Sequence, residues 1–161
     1  MTLDIGTETR TFAAGIQQYY KPEDLIDKKI VTILNLKPRP MCNGAVLSAA
    51  MLFAGSNEAN GGRDVKLCFP DQSLKPGTPV VPAGYTPVDT PTADPKKNFE
   101  KVLKILKTKN KKMTLDDKIE GAPNGIELTA GGKPITCDLP DGCSIGWVYW
   151  IKIYTKTFNL V

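Results

Sequence analysis

At 161 residues the chain can bury one good core and a small appendage, but not two large cores. Hydrophobic content of 41% and charged content of 24% are ordinary for a globular protein, and no apolar run approaches the roughly 18 residues of a membrane span, so no membrane is expected as a partner. The net charge is +4 and histidine is absent, which removes the side chain that most often moves protons near neutral pH and argues against an enzyme.

The start, "MTLDIGTETR", has acids where a secretory leader would have a basic end and an apolar middle, so a cytoplasmic protein is expected. Five short strands follow from turn-bounded runs of β-branched and aromatic residues: Thr2 to Ile5, Arg10 to Ile16, Lys29 to Asn35, Val46 to Ala54 and Asp64 to Phe69. Between the second and third, "YYKPEDLIDKK" predicts a short helix, with Pro22 at its start, Glu23 and Asp24 in the first turn and Lys28 and Lys29 in the last. Strand alternation puts Val46 and Ser48 on one face and Leu47, Ala49 and Met51 on the other. From the pattern alone, Ser48 reads as a buried hydroxyl bonded to the backbone of its own strand, and Met51 as a flexible core filler. This order of elements points to a small β-barrel or sandwich.

Residues 70 to 95 hold seven of the thirteen prolines and predict an extended strap or linker with one short strand at Pro79 to Val81. Next, "PKKNFEKVLKILK" predicts a helix capped by Asp94 and Pro95. Its apolar stripe is Phe99, Val102, Leu103 and Leu106, and Lys97, Lys101, Lys104 and Lys107 lie on the outer faces. Beyond it, "GIELTAGGKPITC" and "GCSIGWVYWIKIYTKTF" predict short strands between glycine-rich turns.

All the excess positive charge lies in residues 96 to 118, with nine lysines against three acids. One reading is the solvated face of an amphipathic helix. The other is a surface for an anion, since Lys107, Lys109, Lys111 and Lys112 continue the run past the helix, and a phosphate backbone is the commonest such partner. Cys42, Cys68, Cys137 and Cys143 are expected as free thiols. Without histidine or a C-x-x-C motif, no metal or other cofactor is expected.

The ordered set "RTFAAGIQQYYKPEDLIDKKIVTILNLKPRPM", "AVLSAAMLFAGS", "KPGTPV" and "ADPKKNFEKV" resembles the tRNA-binding domain of endothelial monocyte-activating polypeptide II and its relatives among aminoacyl-tRNA synthetase cofactors. The family's N-L-K-P is matched by Asn35 to Pro38, its V-L-S-Q-A-M by Val46 to Met51, and its lysine motif by Asp94 to Glu100. The resemblance implies a mainly β fold with short helices: an OB-fold barrel, incomplete at the N-terminus, plus a small α+β C-terminal extension. The implied organisation is an OB-fold tRNA-binding region over 1–81, a proline-rich linker over 82–95, the extension with its basic helix over 96–146, and an unassigned tail over 147–161. It also implies a non-catalytic tRNA-binding protein, a cofactor of or module appended to an aminoacyl-tRNA synthetase, with tRNA and that synthetase as partners. The implied tRNA-binding residues are Asn35, Lys37, Arg39, Ser48, Met51, Lys96, Lys97, Lys101 and Lys104. The alternatives are a truncated structural module of a synthetase complex or a cytokine-like fragment.

The sequence departs from the family in three places. "PMCNGA" stands where the family has K-M-R-G and is two residues longer, so a family arginine is lost and Arg39 replaces it only if the loop folds differently. The family's first barrel strand and most of its second are expected before Leu3. The tail, where Ile151, Ile153 and Thr155 alternate with Lys152, Tyr154 and Lys156, is expected to fill part of that gap.

Overall fold

The computed structural model describes residues 1–59, 62–87, 96–116 and 125–146, with the side chains of 96–98 left aside. The Asp94 and Pro95 cap, most of the linker and the tail strand lie outside the described residues. In chain order the strands are β1 (Thr2–Asp4), β2 (Thr9–Thr11), β3 (Thr32–Ile33), β4 (Arg39–Met41), β5 (Val46–Ser48), β6 (Met51–Leu52), β7 (Ala54–Asn57), β8 (Asp64–Leu67) and β9 (Val80–Pro82). After helix α1 (Lys96–Ile105) come β10 (Leu106–Lys109), β11 (Lys112–Leu115), β12 (Ile126–Ala130), β13 (Lys133–Pro134) and β14 (Ser144–Gly146). The fold is mainly β with a small helix-bearing extension.

Three two-stranded ribbons, β1–β2, β3–β6 and β4–β5, stand beside one larger sheet in the order β13-β12-β11-β10-β14-β7-β8, with β9 pairing off β12. Among the described residues the sheets do not close. β14 pairs with β7, setting Ile145 opposite Gly55, so strands from both halves of the chain share one sheet. The backbone at Val31 stitches ribbon to sheet, donating to the Cys68 carbonyl at 3.0 Å and accepting from Phe53 N–H at 3.0 Å.

Two cores result. One gathers Phe12, Ile16, Leu52, Ala54, Val65 and Leu67 beneath the ribbons. The other joins Val31 and Cys68 from the first half to Leu106, Met113, Ile135, Leu139 and Ile145 from the second. Each fully buried aliphatic side chain contributes about 1.5–3 kcal/mol, so the extension is held by apolar burial as well as by the β7–β14 ladder.

Several expectations need correction. The helix over "YYKPEDLIDKK" is only a 3-10 turn at Pro22–Asp24. Asp27 takes a left-handed φ of 58°, which stops propagation in a segment already short for nucleation. The single strand expected over Val46 to Ala54 is three strands that change partners, β5 to β4, β6 to β3 and β7 to β8 and β14. Val102 is 42% exposed and leaves the apolar stripe. The packing face is instead Phe99, edge-on to Phe53 with centroids 5.9 Å apart, and Leu103, within reach of Gly146.

The lysine run past the helix is a hairpin, β10–β11, turned at Asn110 and Lys111 with φ of 51° and 58°. Two of its four lysines meet acids distant in sequence, Lys111 lying 2.8 Å from Asp138 and Lys112 lying 2.7 Å from Glu127, while Lys107 donates to the Ser144 hydroxyl at 2.9 Å. Each pairing with Lys111 and Asp138 favours the charged forms, raising the lysine's pKa and lowering the carboxyl's. The charges of Lys111 and Lys112 are therefore answered within the chain.

Candidate nucleic-acid interface

A groove of about 260 Å³ opens where the β4–β5 ribbon meets the segment after β2. Its walls are Ala13 to Ile16 on one side and Ser48 to Leu52 on the other, with Leu36, Lys37, Arg39 and Met41 at the mouth. The two cations are exposed, and among the described residues that line the groove there is no acid. The small side chains of Ala13, Ala14, Gly15, Ala49 and Ala50 keep it open.

Register places Arg39. The ribbon pairs Arg39 with Ser48, Pro40 with Leu47 and Met41 with Val46. The longer "MCNGA" loop closes as a tight turn in which Cys42, Asn43 and Gly44 all have positive φ, of 53°, 55° and 88°. Gly44 N–H donates back to the Met41 carbonyl at 3.1 Å. The extra residues are absorbed in the turn, and the arginine stays opposite Ser48 in the groove lining. Pro40 lacks a donor but sits on an exposed two-stranded ribbon, where none is required.

The Ser48 hydroxyl accepts from Ala13 N–H at 3.1 Å and donates to the Ala50 carbonyl at 3.1 Å. Next to it, Ala49 N–H donates to the Thr11 carbonyl at 3.0 Å. One bond of Ser48 is therefore to its own segment, as the pattern suggests, and the other spans to the segment after β2 across the groove. The short loop this makes at Ala49 and Ala50 breaks the expected alternation, and Ser48, Ala49, Ala50, Met51 and Leu52 all reach the groove wall.

Of the residues named from sequence, Lys37, Arg39, Ser48 and Met51 are brought together here. Asn35 is half-buried just before the mouth and outside the lining set. Lys101 and Lys104 are exposed on α1, away from the lining, and the side chains of Lys96 and Lys97 are outside the described set. Sequence reasoning missed Met41, whose place follows only from the β4–β5 register. It also missed Arg10, which donates to the Leu34 carbonyl at 2.7 Å while paired with Glu8 and so ties β2 to the approach to the mouth.

An apolar floor with cations at its rim suits a ligand that is partly apolar and anionic. Residues 1–79 match the family model of a putative tRNA binding domain. The matched residues 1–79 contain every lining residue of the groove and exclude Lys101 and Lys104. Among its relatives, the methionine–tRNA ligase of Methanocaldococcus jannaschii is 40% identical over 80 residues, which is 50% of this chain and 12% of that protein. That of Bacteroides fragilis is 38% identical over 78 residues, 48% of this chain and 11% of that protein. The chain thus spans about a tenth of the length of the curated relatives it matches. In three dimensions it is similar to the C-terminal domain of Plasmodium vivax p43, with a TM-score of 0.70 and 22% identity over 89% of this chain and 81% of that one. That likeness extends the shared fold past residue 79 into the extension.

Proposed function

We propose that this chain is a non-catalytic tRNA-binding module that serves an aminoacyl-tRNA synthetase, in the cytoplasm. In this reading Lys37 and Arg39 hold backbone phosphates at the mouth of the groove as charge-assisted donors. Met51, Met41 and Leu36 offer apolar surface to a ribose or base. Ser48 acts chiefly by fixing the two walls to one another. Asn35 shapes the approach, and Lys101 and Lys104, exposed on the basic helix, form a second positive patch that meets the backbone farther along the RNA, with Lys96 and Lys97 of the same helix adding to the binding charge. The working unit is residues 1–81 with the extension over 96–146.

The observation that carries the reading is the convergence of Lys37, Arg39, Ser48 and Met51 on one groove inside the region that matches the tRNA-binding-domain family. Fluorescence anisotropy of labelled bulk tRNA, beside a duplex RNA of equal length, tests it. Tighter binding to tRNA, lost on Lys37→Glu with Arg39→Glu, is the expected result. Equal and weak binding to both RNAs would overturn it in favour of a structural module of a synthetase complex.

A further inference from the structure

Cys68 and Cys137 face one another across a strand pair that joins the two halves of the chain. Phe69 and Thr136 exchange both backbone hydrogen bonds, each at 2.8 Å, as an isolated antiparallel bridge. Stepping one residue along that register sets Cys68 opposite Cys137. A position next to a doubly bonded pair is a non-hydrogen-bonded one, where directly opposed Cα atoms lie about 4.5 Å apart and side chains share a face. The other backbone bonds agree: Cys68 N–H donates to the Phe53 carbonyl at 3.0 Å and Cys137 N–H to the Lys111 carbonyl at 2.8 Å, so neither bonds the other. A separation of this size falls within the roughly 4.4–6.8 Å that a disulfide spans.

Both thiols are free and belong to one core cluster, 0% and 1% exposed. We propose that Cys68 and Cys137 form an oxidisable dithiol that closes to a disulfide, covalently joining the tRNA-binding-domain region to the C-terminal extension. Their mutual hydrogen bond and burial push the Cys68 thiol up, while the hydrogen bond from Cys68 pulls Cys137 down, and once the pair opens the balance is the same whichever sulfur leads. With a hydroperoxide as oxidant, the Cys137 thiolate takes the terminal oxygen, the O–O bond breaks and the alcohol or water leaves, giving a sulfenic acid. Cys68 then attacks that sulfur, the S–O bond breaks and water leaves, so two thiols are oxidised by two electrons while one peroxide is reduced. Burial makes the reaction depend on local opening of the strand pair.

The test uses the full chain carrying Cys42→Ser, which removes the exposed thiol of the β4–β5 turn. The reduced protein is treated with diamide, whose N=N bond takes up the two hydrogens, then alkylated in denaturant, digested and mapped by mass spectrometry. The expected product joins the Cys68 and Cys137 peptides at the sum of their masses less two hydrogens. The oxidised protein should melt on the order of 10 °C higher, reversibly with dithiothreitol, because the bond closes a long loop. Recovery of both cysteines alkylated, or a bond from Cys137 to Cys143, would overturn the proposal. In Cys68→Ala the diamide-dependent rise should vanish, and its persistence would also count against the pair.

Discussion

Ser48 shows how one hydroxyl can hold two walls of a groove together. Its two bonds, to Ala13 N–H and the Ala50 carbonyl, fix the separation of the groove walls. Ser48→Ala leaves Ala13 N–H without its partner at a half-buried position, so a loss of about 1–2 kcal/mol is expected in urea unfolding. Weaker tRNA binding should accompany it even though no charge changes. Asp71 offers a second check at this scale. Lys133 at 2.8 Å, with Ser73, holds its carboxyl well below the usual carboxylate range. A depressed folded-state pKa stabilises above the unfolded value near 4 and is lost as pH falls further. The tie between β13 and the 71–74 turn should therefore persist through mildly acidic pH and loosen only in strong acid. An NMR titration of the Asp71 carboxyl carbon should shift toward pH 4 in Lys133→Ala, and an unmoved midpoint would refute the pairing.

Among the elements, Gly55 decides how closely the extension docks. A Cβ there would lie 2.6 Å from Leu139 Cδ1 and 2.9 Å from Cys137 Sγ, both side chains buried in the shared core. Gly55→Ala should cost about 1–3 kcal/mol by overpacking and lower Tm, whereas Gly62→Ala, with nothing within 4 Å, should not. This docking also marks what the sequence could reveal. Runs such as Asp64 to Phe69 and the Phe99 and Leu103 face of α1 were legible because periodicity is local, although Val102 is exposed and Leu106 opens β10. The partner changes along Val46 to Asn57 were not, since a strand's neighbours are set by residues far away. The same limit hid the β10–β11 hairpin: Lys111 and Lys112 look unopposed until the fold brings up Asp138 and Glu127. At the site, the type and position of Lys37, Arg39, Ser48 and Met51 came from a motif resemblance, while their convergence required the Arg39 to Ser48 register.

At the scale of the whole molecule, the charges divide into those answered within the chain and those left facing solvent, and salt dependence separates them. Lys111 and Lys112 have carboxylate partners, while Lys37 and Arg39 stand at a groove lined by no acid among the described residues. Each cation that neutralises a phosphate releases a counterion, so it adds slightly less than one unit to the slope of log affinity against log salt. Lys37→Ala with Arg39→Ala should therefore flatten that slope by about 1–2 units and weaken tRNA binding most at low salt. Lys111→Ala with Lys112→Ala should leave the slope nearly unchanged, because those charges already meet Asp138 and Glu127. The exposed pair on α1 gives the discriminating arm. If Lys101→Ala with Lys104→Ala also flattens the slope, RNA runs from the groove onto the extension and the two regions act as one surface. If only the groove variants respond, the basic helix is a solvated face and the extension contributes by packing alone.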